Sequence, residues 1–152
     1  MLETVGDIWE YRKTAVIAVT TGGSLTRDGR AVLGRGVARQ AAAFYPALSA
    51  LLGRLLAEHG NHVHDLGHGL VSFPVEETAW SLPDPGIIAR SAEELRLLAV
   101  HAGWDRVVVP RPGCGGGGLE WHEVRPLLMP WFDDRFVVIS PAAPPGRSEG
   151  QR

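Results

Sequence analysis

The sequence is poor in cysteine and in long apolar runs. Cys114 is the only cysteine among 152 residues, so the chain cannot form an internal disulfide, a pattern typical of a reducing compartment. No stretch approaches the roughly 18 apolar residues of a membrane-spanning helix, and no secretory leader pattern is found. We therefore expect a cytoplasmic protein with no membrane partner.

Lysine is also scarce, since Lys13 stands alone against fourteen arginines. The formal net charge of −2 argues against a protein whose whole surface binds nucleic acid. A local patch of arginines that contacts nucleic acid is still compatible with this charge. A chain of this length buries roughly 70% of its unfolded surface as one domain, so it needs no disulfide or metal to fold.

Glycine is abundant, and its positions are uneven. Ten of the 19 glycines fall in two stretches, 22–36 and 113–118. Glycine and proline together make 30 of 152 residues, below the roughly 25–30% that indicates low-complexity disorder. The two glycine stretches therefore need a local structural explanation.

Short apolar runs alternate with helical patterns along the chain. Strands are predicted at 14–20, 62–66, 69–73, 107–109 and 135–139. Helices are predicted at 35–45, at 48–59, from a capping box at 91–94 to Gly103, and at 121–129. This alternation predicts a three-layer α/β/α fold around a central mixed, mostly parallel sheet.

Both glycine stretches follow a predicted strand and lead into a predicted helix. Ligands of such sheets bind outside the carboxyl ends of the strands, and backbone N–H groups with helix dipoles there attract anions. A phosphate ligand is therefore expected. No Walker A motif is present, which excludes the P-loop NTPases, and the GxGxxG pattern at 113–118 lies too near the C-terminus for a dinucleotide fingerprint.

Four motifs, in this order and spacing, resemble those of macro domains. They are Gly6-Asp7-Ile8, Thr20-Thr21-Gly22-Gly23, Ala31-Val32-Leu33-Gly34-Arg35-Gly36-Val37-Ala38 and Pro112-Gly113-Cys114-Gly115-Gly116-Gly117-Gly118-Leu119-Glu120-Trp121. The branch that the chain resembles includes the terminal ADP-ribose protein glycohydrolase and antitoxins that remove ADP-ribose from thymidine in DNA. The resemblance implies a macro domain over residues 1–140, and the Pro-, Gly- and Ser-rich residues 141–152 are predicted to form a mobile tail.

The resemblance implies a binding site for ADP-ribose. Asp7 would accept a hydrogen bond from the adenine amino group, with Ile8 against the ring. The two glycine segments would hold the two phosphates, and Phe73 and Pro74 would lie beside the adenosine or the distal ribose. The other implied contacts are Thr20, Thr21, Gly22, Gly34, Arg35, Gly36, Val37, Ala38, Gln40, Arg111, Pro112, Gly113, Cys114, Gly115, Gly116, Gly117, Gly118, Leu119 and Trp121.

Three departures from the family pattern concern the chemistry. Many relatives carry Asn where Gly22 stands. The glycohydrolase branch carries a nucleophilic Lys at the position of Glu76, and its acidic partner aligns with Gly117. A lysine adduct is therefore rejected, and we expect attack by a positioned water molecule, assisted by Glu76 or another carboxylate of its loop.

Several candidate residues have a simpler structural interpretation. Cys114 is read as a small apolar residue rather than a nucleophile, because no histidine is placed beside it. The cluster His59, His62, His64 and His68 has no further ligand to complete a zinc site, so no metal is expected. Trp80 and Trp121 either contact the ligand or pack, and Arg35 and Arg111 either contact phosphate or face solvent.

The sequence thus favours a hydrolase that removes mono-ADP-ribose from acidic protein side chains or from a DNA base. The expected partners are ADP-ribose and a mono-ADP-ribosylated protein or single-stranded DNA, with no cofactor. Two alternatives stay open, a non-catalytic reader of ADP-ribose and a phosphatase acting on ADP-ribose 1″-phosphate.

Overall fold

The computed structural model describes residues 1–116 and 118–143, in which helices cover both faces of a six-stranded sheet. The strands are β1 (Leu2–Val5), β2 (Val16–Thr21), β3 (Asp65–Gly67), β4 (Leu70–Pro74), β5 (Val107–Pro110) and β6 (Phe136–Ser140). The helices are α1 (Gly36–Phe44), α2 (Leu48–His59), α3 (Pro85–Ala102) and α4 (Trp121–Leu128), with a short 3-10 helix at Ile8–Tyr11.

The strand order in the sheet is β1-β6-β5-β2-β4-β3. Every neighbouring pair is parallel except β3 and β4, which are antiparallel. The predicted α/β/α architecture with a mixed, mostly parallel sheet is confirmed. Because five strands run in one direction, the segments that follow them meet at one edge of the sheet.

Alternation along the strands builds a core on each face of the sheet. Ile17 and Val19 belong to the apolar cluster that holds Leu52 of α2, whereas Ala18 between them belongs to the cluster that holds Leu95 of α3. All five residues are at most 1% exposed. In α2, Leu48, Leu52 and Leu56 are buried, and Leu51 and Leu55 are half-buried against the same cluster.

The strand predicted at 62–66 is largely wrong, because only the antiparallel strand β3 forms there. Side-chain contacts hold the preceding segment instead, with His62 Nδ1 2.8 Å from Glu94 Oε2 and the backbone N–H of His64 donating to Ser72 Oγ.

The helix predicted to begin at Ser91 begins six residues earlier, at Pro85. Asp84 is its N-cap and accepts a hydrogen bond from Gly86 N–H at 2.7 Å, and proline suits the first turn. Ser91 lies buried inside α3, where its hydroxyl donates to the Pro74 carbonyl at 2.6 Å. The predicted capping box at 91–94 is therefore wrong, whereas the end of this helix at Gly103 is confirmed.

Two N-terminal elements were not predicted. Strand β1 pairs with β6 at the sheet edge, with Leu2 opposite Val137, and the 3-10 helix packs on β2 and β5. Within the described ranges, no helix combines the length and apolar character that crossing a membrane requires. The predicted tail lies outside the described residues from position 144 onward.

Candidate functional site

The segments that carry the sequence motifs meet at the carboxyl edge of the sheet. Gly6-Asp7 follows β1, Gly22 follows β2, Val75-Glu76 follows β4 and Arg111 follows β5. The parallel pairing of these strands, rather than proximity in the chain, brings them together.

The first glycine segment leads into an open helix N-terminus. Arg35 is the N-cap of α1, and no side chain caps that end of the helix. Gly34 and Gly36 are exposed, and a β-carbon on either would meet no atom within 4 Å. Val37 is half-buried and Ala38 is buried, which sets α1 close to the sheet. The first-turn N–H groups are therefore available to an anion, as predicted for the phosphate site.

The second glycine segment is open in its middle but does not lead into an open helix. Gly115 and Gly116 are exposed, whereas Gly113 is enclosed by Leu119 and Pro83 and has φ +75°. Gly118 has φ +88°, and Gly117 lies outside the described residues.

The N-terminus of α4 carries two carboxylates of its own, Glu120 at the N-cap and Glu123, whose Oε2 accepts a hydrogen bond from Glu120 N–H at 3.2 Å. The expectation that both glycine segments end at an anion-binding helix N-terminus is thus wrong for the second. This segment offers a phosphate only its loop backbone.

Cys114 is half-buried within this second segment. Its Sγ lies 3.5 Å from the carbonyl of the buried Pro112. Burial raises the pKa of the Cys114 thiol, and the nearby positive charge of Arg111 offsets only part of that effect. These observations favour the small apolar residue over the nucleophile.

Arg111 and Trp121 belong to a cluster beside the glycine segment. The Arg111 guanidinium lies 4.9 Å from the centre of the Trp121 ring, whose Nε1 donates to Glu3 Oε1 at 2.9 Å. Arg125 Nε donates to Glu3 Oε2 at 3.0 Å, and this hydrogen bond is the main cause that lowers the pKa of Glu3. For Trp121 the geometry favours packing, whereas Trp80 is 91% exposed.

The Asp7 segment is tied to α1 by a residue that the sequence did not single out. Asp7 is exposed and its Oδ1 accepts a hydrogen bond from Trp9 N–H at 3.0 Å, while Ile8 is buried. Trp9 Nε1 donates to Gln40 Oε1 at 2.8 Å. The Gln40 side-chain oxygen is therefore engaged by Trp9 rather than open to the cleft.

Phe73 and Pro74 lie at the end of β4, and both are buried. Phe73 is 0% exposed and its ring packs edge-on against Phe132. Thr20 is half-buried and Thr21 is buried, and the Thr21 carbonyl accepts a hydrogen bond from Val75 N–H. These residues pack beneath the carboxyl edge of the sheet. The Phe73 ring is fully buried and therefore cannot contact a ligand.

Glu76 is a nearly buried carboxylate at the carboxyl edge of the sheet. Its side chain is only 10% exposed, and its Oε1 lies 3.3 Å from Nη2 of Arg35. A β-carbon on Gly22 would lie 3.0 Å from Cγ of Glu76. The carboxylate thus lies between the end of β2 and the N-terminus of α1.

Two further residues hold the Glu76 backbone. Asn61 Nδ2 donates to the Glu76 carbonyl at 2.9 Å, and Arg90 Nη2 donates to the Asn61 carbonyl at 2.5 Å. Gly23 N–H donates to the Glu77 carbonyl at 3.0 Å, an approach so close that no side chain fits at Gly23. Asn61 follows the glycine that ends α2 and lies in a polar stretch, so no sequence pattern marked it.

Among the described residues, no group of three or more His, Cys, Asp and Glu side chains is arranged to hold a metal ion. In particular, His62 and His64 make separate hydrogen bonds, to Glu94 and to the Gly60 carbonyl.

No family model matches the chain, and no curated protein does. Solved structures match it well. The macrodomain of Mycobacterium tuberculosis DarG is 22% identical, with a TM-score of 0.73 over 93% of this chain and 99% of that one. The macrodomain of Thermus aquaticus DarG is 21% identical, with a TM-score of 0.71 over 95% and 99%.

A third similar structure is Thermosipho africanus DarTG in complex with ADP-ribose. It is 18% identical with a TM-score of 0.72, and the match covers 93% of this chain and 42% of that one. The chain therefore has the macro-domain fold, as its motifs predicted.

Proposed function

We propose that this macro-domain fold binds ADP-ribose at the carboxyl edge of its sheet and hydrolyses a mono-ADP-ribosyl bond there. The observation that carries the proposal is Glu76, a nearly buried carboxylate held beside an uncapped helix N-terminus. The similar fold of a protein whose structure holds ADP-ribose supports the choice of ligand.

The pyrophosphate would lie between the two glycine segments. The first-turn N–H groups of α1 would hold one phosphate, and the exposed backbone at Gly115 and Gly116 would hold the other. Asp7 is exposed, and its Oδ1 already caps the 3-10 helix. Its other oxygen would accept the adenine amino group. The distal ribose would then lie toward Gly22 and Glu76.

Hydrolysis at the distal ribose needs a water molecule and a proton acceptor. The bond from C1″ to the acceptor breaks with its electron pair leaving on the acceptor, and C1″ becomes oxocarbenium-like. A water oxygen then bonds to C1″ while Glu76 takes the water proton. An acceptor carboxylate leaves without a proton, whereas a base nitrogen takes one from Glu76 or solvent.

A covalent lysine intermediate has no place in this mechanism. Lys13 is the only lysine, and it precedes β2, at the opposite edge of the sheet from Glu76. The half-buried thiol of Cys114, whose pKa is raised, does not replace it.

The acceptor is tested with three substrates and one binding measurement. Wild-type protein is incubated with a mono-ADP-ribosylated protein, with ADP-ribosylated single-stranded DNA and with ADP-ribose 1″-phosphate, and ADP-ribose binding is measured by calorimetry. Release of ADP-ribose from the protein or from the DNA supports the hydrolase proposal and identifies the acceptor. Tight binding without turnover indicates a reader, turnover of the 1″-phosphate alone indicates the phosphatase, and no binding refutes the site.

A further inference from the structure

We infer that Arg35 exchanges partners when the ligand binds, leaving Glu76 for the phosphates and thereby freeing the Glu76 carboxylate to accept a proton. This inference rests on the proposed function of the site. It assigns to Arg35 a positioning role that links phosphate binding to the proposed proton acceptor.

The two partners of the Arg35–Glu76 contact differ in freedom. The Glu76 side chain is 10% exposed and packs over Gly22, and its backbone carbonyl is held by Asn61. The Arg35 side chain is 65% exposed, and its contact with Glu76 is a single one at 3.3 Å. Because Arg35 is largely exposed and makes a single contact, whereas Glu76 is nearly buried and held, Arg35 is the partner that can move.

Arg35 can reach a phosphate by turning its side chain, with no change in its backbone position. It is the N-cap of α1, and its chain enters the helix at Gly36, whose φ of +55° starts the first turn. A phosphate held by the N–H groups of that turn lies next to residue 35. A guanidinium bonds two phosphate oxygens in parallel, which a single contact to a carboxylate does not match.

The exchange changes the chemistry at Glu76. While Arg35 is bound, its guanidinium occupies Oε1 of Glu76 and keeps a water molecule from that oxygen. When Arg35 turns to the phosphate, Oε1 becomes available to a water molecule at the distal ribose. Glu76 can therefore accept a proton from water only when the phosphates are bound and Arg35 has turned toward them.

A double-mutant cycle on ADP-ribose affinity tests the exchange without measuring turnover. Calorimetry is performed on wild type, Arg35→Gln, Glu76→Gln and the double variant, with thermal unfolding of each to verify folding. Arg35→Gln is expected to weaken binding about tenfold, the size of a lost charge-assisted hydrogen bond. Glu76→Gln is expected to tighten binding about threefold because Arg35 no longer has to leave a charged partner.

The decisive comparison is the effect of Glu76→Gln in the two backgrounds. Partner exchange predicts that the gain from Glu76→Gln disappears when residue 35 is Gln. An equal gain in both backgrounds would mean that Glu76 merely repels the phosphates and would overturn the inference, as would unchanged binding in Arg35→Gln. Since these outcomes concern affinity alone, a failure here leaves the hydrolase proposal standing, and loss of hydrolysis leaves the exchange standing.

Discussion

A β-carbon placed on Gly22 would lie 3.0 Å from Cγ of Glu76, so glycine at one position and glutamate at the other are sterically coupled. Both positions depart from the macro-domain pattern that the sequence otherwise follows. The structure shows that the two departures are one arrangement, in which the missing side chain at the end of β2 makes room for the carboxylate from the end of β4.

Gly22→Ala is expected to displace the Glu76 side chain and to lower the free energy of unfolding by about 1 kcal/mol, the lower end of the cost of overpacking. The matched background is Glu76→Ala, which vacates the space that the new methyl group needs. In the Glu76→Ala background, Gly22→Ala should leave the free energy of unfolding unchanged. Urea denaturation of the four proteins gives the cycle, and an equal cost in both backgrounds would show that Gly22 is required for another reason.

Asn61→Ala should loosen the segment that carries Glu76, because it removes the hydrogen bond to the Glu76 carbonyl. The expected loss of unfolding free energy is about 1 kcal/mol. Asn61→Asp keeps the shape but sets a carboxylate oxygen against that carbonyl, so its loss should be larger. Denaturation curves that rank the aspartate variant as stable as wild type would refute this contact.

Glu3→Gln tests the cluster of Glu3, Trp121 and Arg125. The pKa of Glu3 lies below its usual value of 4.5, chiefly through the Arg125 hydrogen bond, so the folded protein binds fewer protons there than the unfolded chain. The stabilisation is therefore present above pH 4.5 and is lost as the pH falls further. Because Glu3 and Arg125 are 35% and 45% exposed, it should be below about 1 kcal/mol.

The measurement for Glu3 is the difference in unfolding free energy between wild type and Glu3→Gln from pH 7 to pH 3. The difference should shrink at the acid end. Glu10→Gln controls for the loss of one negative charge, since Glu10 makes no ion pair among the described residues. A difference that grows toward acid pH would contradict the assigned sign.

Cys114 should behave as an unreactive thiol. Burial raises its pKa above the usual 9.0, so little thiolate exists at neutral pH. Alkylation by iodoacetamide at pH 7.5 should be several-fold slower than that of free cysteine and should still be accelerating at pH 9. A rate that reaches its plateau below pH 8 would identify an activated thiolate instead.

The sequence predicts what depends on local pattern. The apolar run at 14–20 and the helical pattern at 48–59 each contain their own signal. The place of the glycine segments at one edge follows from their position after strands of a parallel sheet. The start of α3 is predicted too late, because the sequence pattern at 91–94 resembles a capping box. The helix instead begins at Pro85, with Asp84 as its N-cap.

Contacts between distant segments could not be predicted in this way. Gln40 is engaged by Trp9, and Trp121 Nε1 donates to Glu3, through packing that no single stretch of sequence encodes. Arg35 and Glu76 are 41 positions apart, and they meet because β2 and β4 are neighbours in the sheet. The motifs therefore indicated where the site lies, whereas the partners of its charged groups came from the fold.

The most direct test of the account is a single-turnover measurement of ADP-ribose release by wild type and Glu76→Gln, each saturated with the substrate that wild type hydrolyses. If Glu76 takes the water proton, Glu76→Gln should slow release by about 100-fold or more while it still binds ADP-ribose. Equal rates for the two proteins at saturation would contradict the account and remove Glu76 from the reaction.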